Sequence, residues 1–122
     1  MIYRSLKNYD NEQIKTILNN RNSDELILLP LSVGFYCNDY GKAQNICIKL
    51  IENENPLVRA NAILGLAYIA RNHKKLNKRI VKPYILKELR ENKEYNWRII
   101  DAVNDINLFL NWNLGSKFLQ NN

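Results

Sequence analysis

Turn-forming residues are scarce in this chain. Four glycines and three prolines serve 122 residues. Strand-rich folds consume such residues at every turn, so the shortage counts against an all-β protein. Histidine is limited to His73, and cysteine to Cys37 and Cys47. That inventory supplies no metal cluster. Both thiols sit among apolar or small neighbours, the pattern of buried free cysteines in a reducing compartment. A Gly-rich phosphate loop, a CxxC and an HExxH are all missing. Catalytic residues, a metal and a cofactor are therefore not expected. Long apolar runs are missing too. The longest, "LILLPLSVGFYC" (26–37), is too short to span a bilayer, and "MIYRSLKNYDNEQ" lacks the apolar core of a signal peptide. A cytoplasmic protein without membrane contact is expected.

What is present is ordinary for a globular domain: 46% apolar and 25% charged residues. The length suits one domain, 1–122, with a core of its own. Asparagine makes up about one residue in six. It is a mediocre helix former, so packing rather than propensity must hold the helices. The net charge of +6, at a pI near 9.4, permits either a nucleic acid or an acidic protein as partner.

Helix-start chemistry divides the chain into six segments, at about 10–21, 24–37, 40–53, 56–72, 78–91 and 94–111. Asp10 with Gln13 forms a capping-box pattern. Ser23, Asp39 and Asn55 stand where N-caps belong, and Pro56 occupies the first helical position, where its missing N–H costs nothing. Pro83 is expected to kink the fifth segment or start a fresh turn. Gly115 and the polar "SKFLQNN" close the chain.

Two stretches repeat. "LIENENPLVR" (50–59) and "LRENKEYNWR" (89–98) share Leu50/Leu89, Glu52/Glu91, Asn53/Asn92 and Arg59/Arg98 at an offset of 39 residues. That is the period of stacked helical hairpins of the HEAT or armadillo kind, in which each hairpin buries its apolar face only against a neighbour. The expected architecture is an all-α, HEAT-like stack of about three hairpins. Arg59 and Arg98 would then bridge hairpin turns, to Glu52 or Glu91 or to turn carbonyls.

Some residues invite a chemical reading. His73 lies among cations and reads as solvated. Asp101 and Asp105, spaced i, i+4, share a helix face and read as a solvated acidic surface rather than an acid–base pair. Arg71, Lys74, Lys75, Lys78, Arg79 and Lys82 form a basic cluster able to meet phosphates, but no aromatic residue interleaves with it as a stacking platform. Asn61, Gly65, Tyr68 and Asn72 recur at steps of 4, 3 and 4, a single helix face. An amphipathic Tyr flanked by Asn suits a protein interface. The matching face of the last segment offers Ile100, Asp101, Asn104, Asp105 and Leu108. Trp97 lies near its start and Trp112 just past its end; these aromatics suit the core equally well.

"PLVRANAILGLAYIARNHKKL" followed by "VKPYILKELRENKEYNWRIIDAVNDINLFLNW" resembles small bacterial HEAT-like immunity proteins of polymorphic toxin and contact-dependent growth inhibition systems. The residues that carry this are Val58, Arg59, Asn61–Gly65, Ile69–Arg71, Val81–Pro83, Asp105, Phe109, Leu110 and Trp112. The likeness covers about 45–112. It implies a non-enzymatic cytoplasmic inhibitor that binds the C-terminal domain of a cognate toxin, a nuclease such as an EndoU-type RNase, and occludes its active site. Since nuclease toxins are often basic, either a local acidic face from Glu94, Asp101 and Asp105 offsets the net positive charge, or the cationic cluster near 71–82 meets a locally acidic toxin surface. The expected contact residues are Asn61, Tyr68, Arg71, Asn72, Asp101, Asn104 and Asp105. The competing reading is a nucleic-acid-binding module that uses the Arg71–Lys82 cluster.

Overall fold

Side-chain caps decide where the helices begin. The computed structural model describes residues 6–119. The outermost parts of the expected 1–122 domain, of "MIYRSLKNYDNEQ" and of the polar tail lie outside that range. Within it, six helices run α1 Asn11–Asn20, α2 Ser23–Tyr36, α3 Tyr40–Ile51, α4 Pro56–His73, α5 Lys78–Glu91 and α6 Asn96–Leu110, followed by a single turn, α7 Ser116–Leu119. The Asp10–Gln13 capping box is formed in both directions. Asn22 caps α2 in place of Ser23, which is already helical. Asp39, Asn55 and Asn77 cap α3, α4 and α5. The chain continues as helix through Pro83, and α7 takes up the first four residues of the expected tail.

The asparagine bias thus has local work to do. Three N-caps are asparagines, and Asn111 takes the left-handed C-cap of α6 at φ 57°. Arg21 and Lys74 take the same conformation after α1 and α4, a position that usually goes to glycine. With only four glycines in the chain, other residues carry that strain.

α4 is the centre of the packing. It lies against α2 on one side and α6 on the other, with α3 packed along it; α1 covers α2, and α5 packs on α6 and more lightly on α3 and α4. Eleven of its eighteen residues are buried. A helix apolar all round belongs in an interior, which explains why no single face of "PLVRANAILGLAYIARNH" stands out. The α2–α4 approach depends on two glycines. A Cβ on Gly34 would lie 2.5 Å from the Gly65 carbonyl oxygen, and one on Gly65 would lie 2.6 Å from that of Pro30.

The two repeated arginines differ in their surroundings. Arg59 donates from Nε to Glu88 at 3.1 Å and from Nη1 to the carbonyls of Asn53 and Glu54. The turn carbonyls are as expected; the acid is Glu88 of α5, not Glu52 or Glu91. Glu88 is 4% exposed and also accepts from Asn92, which in turn donates to the Pro56 carbonyl. Arg98 has no such acid. It turns back to α4 and donates to Asn61 Oδ1 at 2.7 Å. The reason is positional: Arg59 reaches forward to Glu88 of α5, whereas the single turn α7, which follows α6, has no acidic residue to offer Arg98.

Candidate functional site

Asn61 is a strut, not a contact residue. It is 2% exposed. Its Nδ2 donates to the Ile27 carbonyl of α2 at 2.8 Å while its Oδ1 holds Arg98 of α6. Asn72 is similarly employed. Its Nδ2 donates to the carbonyls of Gly34 and Phe35 at the end of α2, groups that a helix leaves without partners. His73 completes that cap: Nε2 lies 3.0 Å from the Cys37 carbonyl. A carbonyl only accepts, so Nε2 carries the proton. His73 is thus tied down rather than solvated. Tyr68 is buried with Leu6 and Leu31, leaving little of it to meet a partner. Periodicity placed these side chains on one face correctly, but α2 covers that face.

Tyr68, Arg71, Asp101 and Asp105 do come together. They line a groove of about 320 Å³ between α4 and α6, completed by Leu64, Ala67, Trp97, Arg98 and Phe109. Asn104 lies outside it, on the exposed side of α6. Arg71 sits over the Tyr68 ring and Arg98 over the Trp97 ring, each 5.3 Å from the centroid. Arg98 Nε is buried without a hydrogen-bond partner among the described residues.

The outer surface of α6 extends the groove. Trp97, Asp101, Asn104, Asp105 and Leu108 are all exposed and follow helical spacing. Trp97 is 61% exposed and Leu108 75%, the highest values among the large exposed hydrophobic residues described. Neither acid makes an ion pair among the described residues. Partial desolvation beside the groove raises the Asp105 pKa above the ordinary carboxylate value although the residue is largely exposed, and the neighbouring Asp101 charge adds to this; Arg71 partly opposes both. The sequence puts Leu108 on this face and leaves Trp97 open between surface and core, and neither is among the expected contact residues. Their spacing with Asp101 and Asp105 was the available signal; that no helix covers them was not visible.

A larger hollow, about 640 Å³, lies between the α3–α4 turn and α5. Arg59 and Glu88, which pair with one another, line it together with Glu52, Glu54, Lys87 and Glu91. The cysteines form no disulfide. Cys47 is buried, with burial pushing its thiol pKa upward, and Cys37 is only half-buried. Among the described residues, no three metal-ligating side chains cluster, and no helix is long and apolar enough to cross a membrane. No protein-family model, curated protein or solved structure matches the chain.

Proposed function

We propose that this chain is a binding protein whose partner docks on α6 and the α4–α6 groove, and that it acts as an immunity protein. In this reading the helix pairs α1–α2, α3–α4 and α5–α6 form a HEAT-like stack, with α6 as its open end. The terminal unit of such a stack normally turns a polar face outward. Here that face carries Trp97 and Leu108. This is the observation that carries the proposal. Large exposed apolar side chains rimmed by polar ones mark interaction surfaces, and Trp is prominent among residues that dominate binding energy.

The carboxylates give the face its sign. Asp101 and Asp105 stand unpaired between the two apolar anchors, so the face suits a basic patch on a partner even though the chain as a whole is positive. Local complementarity sets specificity and encounter at short range. The partner the resemblance implies is the C-terminal domain of a toxin, a basic nuclease, with an EndoU-type RNase the leading candidate. Inhibition needs no chemistry from this chain: covering the active site is enough.

The test pairs the 122-residue chain with the C-terminal domain of any toxin encoded next to its gene. Wild type should bind that domain and protect cells from it. Trp97→Ala combined with Asp101→Ala should weaken binding by at least about tenfold, as expected of an anchor worth over ~1.4 kcal/mol. Wild-type affinity in the double variant would move the interface elsewhere. Failure of the wild type to protect against the toxin would remove the immunity reading itself.

A further inference from the structure

The opposite charge gathers at another part of the molecule, where α4 ends and α5 begins. No acidic residue occurs between Arg71 and Lys87. Lys74, Lys75, Lys78, Arg79 and Lys82 are all exposed, and none forms an ion pair among the described residues. Helix electrostatics explains only part of this. Cations after the end of α4 complement its dipole, whereas Lys78 and Arg79 occupy the first turn of α5, where the dipole disfavours them. Such a concentration of like charge costs stability through self-repulsion, so it calls for a reason other than folding.

Folding also supplies what the linear sequence lacks. Lys74 Nζ lies 4.6 Å from the Phe109 ring centroid, Lys75 Nζ 4.9 Å from that of Tyr40, and Lys78 Nζ 5.4 Å from that of Trp112. The rings come from α3, from α6 and from the segment after it. All three are half-buried, so each ring is braced by the core while part of it reaches the surface. Beside Trp112, Lys78 and Lys82 line a hollow of about 290 Å³ with Asn113, Ser116 and Lys117. Three ammonium groups, a hydroxyl and an amide around one concavity can take a phosphate.

The geometry points to a single-stranded nucleic-acid site on this surface. Phosphates engage Lys78, Lys82 and Lys117, with Lys74 and Lys75 tracking the backbone beyond. As those lysines leave the rings for phosphate, Tyr40, Phe109 and Trp112 become free to stack on bases. A solvent-exposed lysine over the surface part of a ring is a weak contact, and a base–aromatic stack is stronger, so the exchange favours the ligand. The combination of cations with stacking platforms selects single strands over duplex, whose bases are already stacked. This surface is separate from the α6 face, and either assignment stands without the other.

The experiment is fluorescence anisotropy of a fluorescein-labelled single-stranded oligouridine RNA with the full-length chain, titrated with salt. Wild type should bind, and salt should weaken the binding. Lys78→Glu, Lys82→Glu and Lys117→Glu together remove three phosphate contacts; the log–log salt slope should fall by about 2, at ~0.7 per contact for single strands. Affinity should drop at least about tenfold. Trp112→Leu keeps apolar bulk without the ring. It should cost about fivefold or more with the slope unchanged, the signature of lost stacking. Circular dichroism confirms that each variant is folded. The proposal fails if RNA leaves the anisotropy unchanged, if Trp112→Leu binds like wild type, or if a duplex of equal length binds as tightly. It also fails if phosphatidylserine vesicles capture the protein while the RNA does not.

Discussion

The two long edges of α4 are built on opposite terms. Against α2 the contact is closed: Gly34 and Gly65 let the backbones approach until no side chain fits between them. Against α6 the contact is open at the surface, leaving the groove lined by Leu64, Trp97 and the two aspartates. Asn61 links both edges, donating to α2 and accepting from α6. Small residues make a seam that carries stability. Large and charged ones leave an open surface, the one proposed above for recognition. The same helix therefore should respond to substitution in two ways, depending on which edge is touched.

The closed edge should give the largest effect. Gly65→Ala gains up to ~1 kcal/mol of helix propensity. It also drives a methyl against a backbone carbonyl oxygen at 2.6 Å and Cys47 Sγ at 2.8 Å. The carbonyl cannot swing aside without moving α2, so overpacking should win. A net loss of about 3 kcal/mol is expected, or roughly 10 °C in Tm by thermal melting. A rise in Tm would mean that the edge is looser than its glycines indicate. Asn61→Ala comes next. It removes the second bond accepted by the Ile27 carbonyl and takes away the Asn61 acceptor of Arg98 Nη1, at a cost of about 2 kcal/mol measured by urea unfolding. A neutral result would show that water replaces the strut.

Much of the fold could be read from the sequence because its signals are local. The Asp10–Gln13 box, Asp39, Asn55 and Pro56 place helix starts through contacts within four residues, and the structure has them. The 39-residue repeat marks Leu50 and Leu89 as equivalent positions, and both are buried; it also puts Arg59 and Arg98 in first turns, where they are found. It anticipates the turn carbonyls at Arg59 but neither Glu88 nor the turn of Arg98 back to Asn61. Those depend on whether another helix follows, a property of the ends of an array that no single corner encodes. The candidate site divides in the same way. Asp101 and Asp105 were legible as one face from i, i+4 spacing alone. Asn61 and Asn72 matched the spacing of an interface too, but α2 claims them, and periodicity cannot tell a face turned to solvent from one turned to a neighbouring helix. The stacking rings beneath the lysines were invisible for a related reason: Tyr40 and Phe109 are distant in sequence from the cations they meet.

The open edge should separate binding from folding. Tyr68 is a poor probe because it is buried beside Leu31, so a truncation there would mix both effects. Trp97 and Asp101 are exposed. Their double alanine variant should lose partner affinity while its Tm stays within about 1–3 °C of wild type, the range of surface substitutions. A large drop in Tm would make Trp97 part of the core rather than a docking anchor, and would erase the contrast between the two edges.

Asp105→Asn should give the smallest effect, and its sign is the informative part. Most carboxylates in folded proteins are stabilised as anions; Asp105 is not, because burial and Asp101 raise its pKa against the pull of Arg71. The folded chain therefore holds that proton more tightly than the unfolded chain does. Between the unfolded pKa, near ~4, and the higher folded value, folding takes up a proton, so stability falls as pH rises through that window. Above it the cost persists, because the anion is retained in a site that disfavours it. Asparagine lacks the charge, so Asp105→Asn should raise Tm at neutral pH by about 1–3 °C. The difference should vanish below the unfolded pKa, where both side chains are neutral. A lower Tm at neutral pH would mean that Arg71 outweighs Asp101 and burial, leaving no charge at this position free to recruit a basic partner. A higher Tm accompanied by weaker partner binding would show the face keeping an unfavourable anion for the sake of what docks on it.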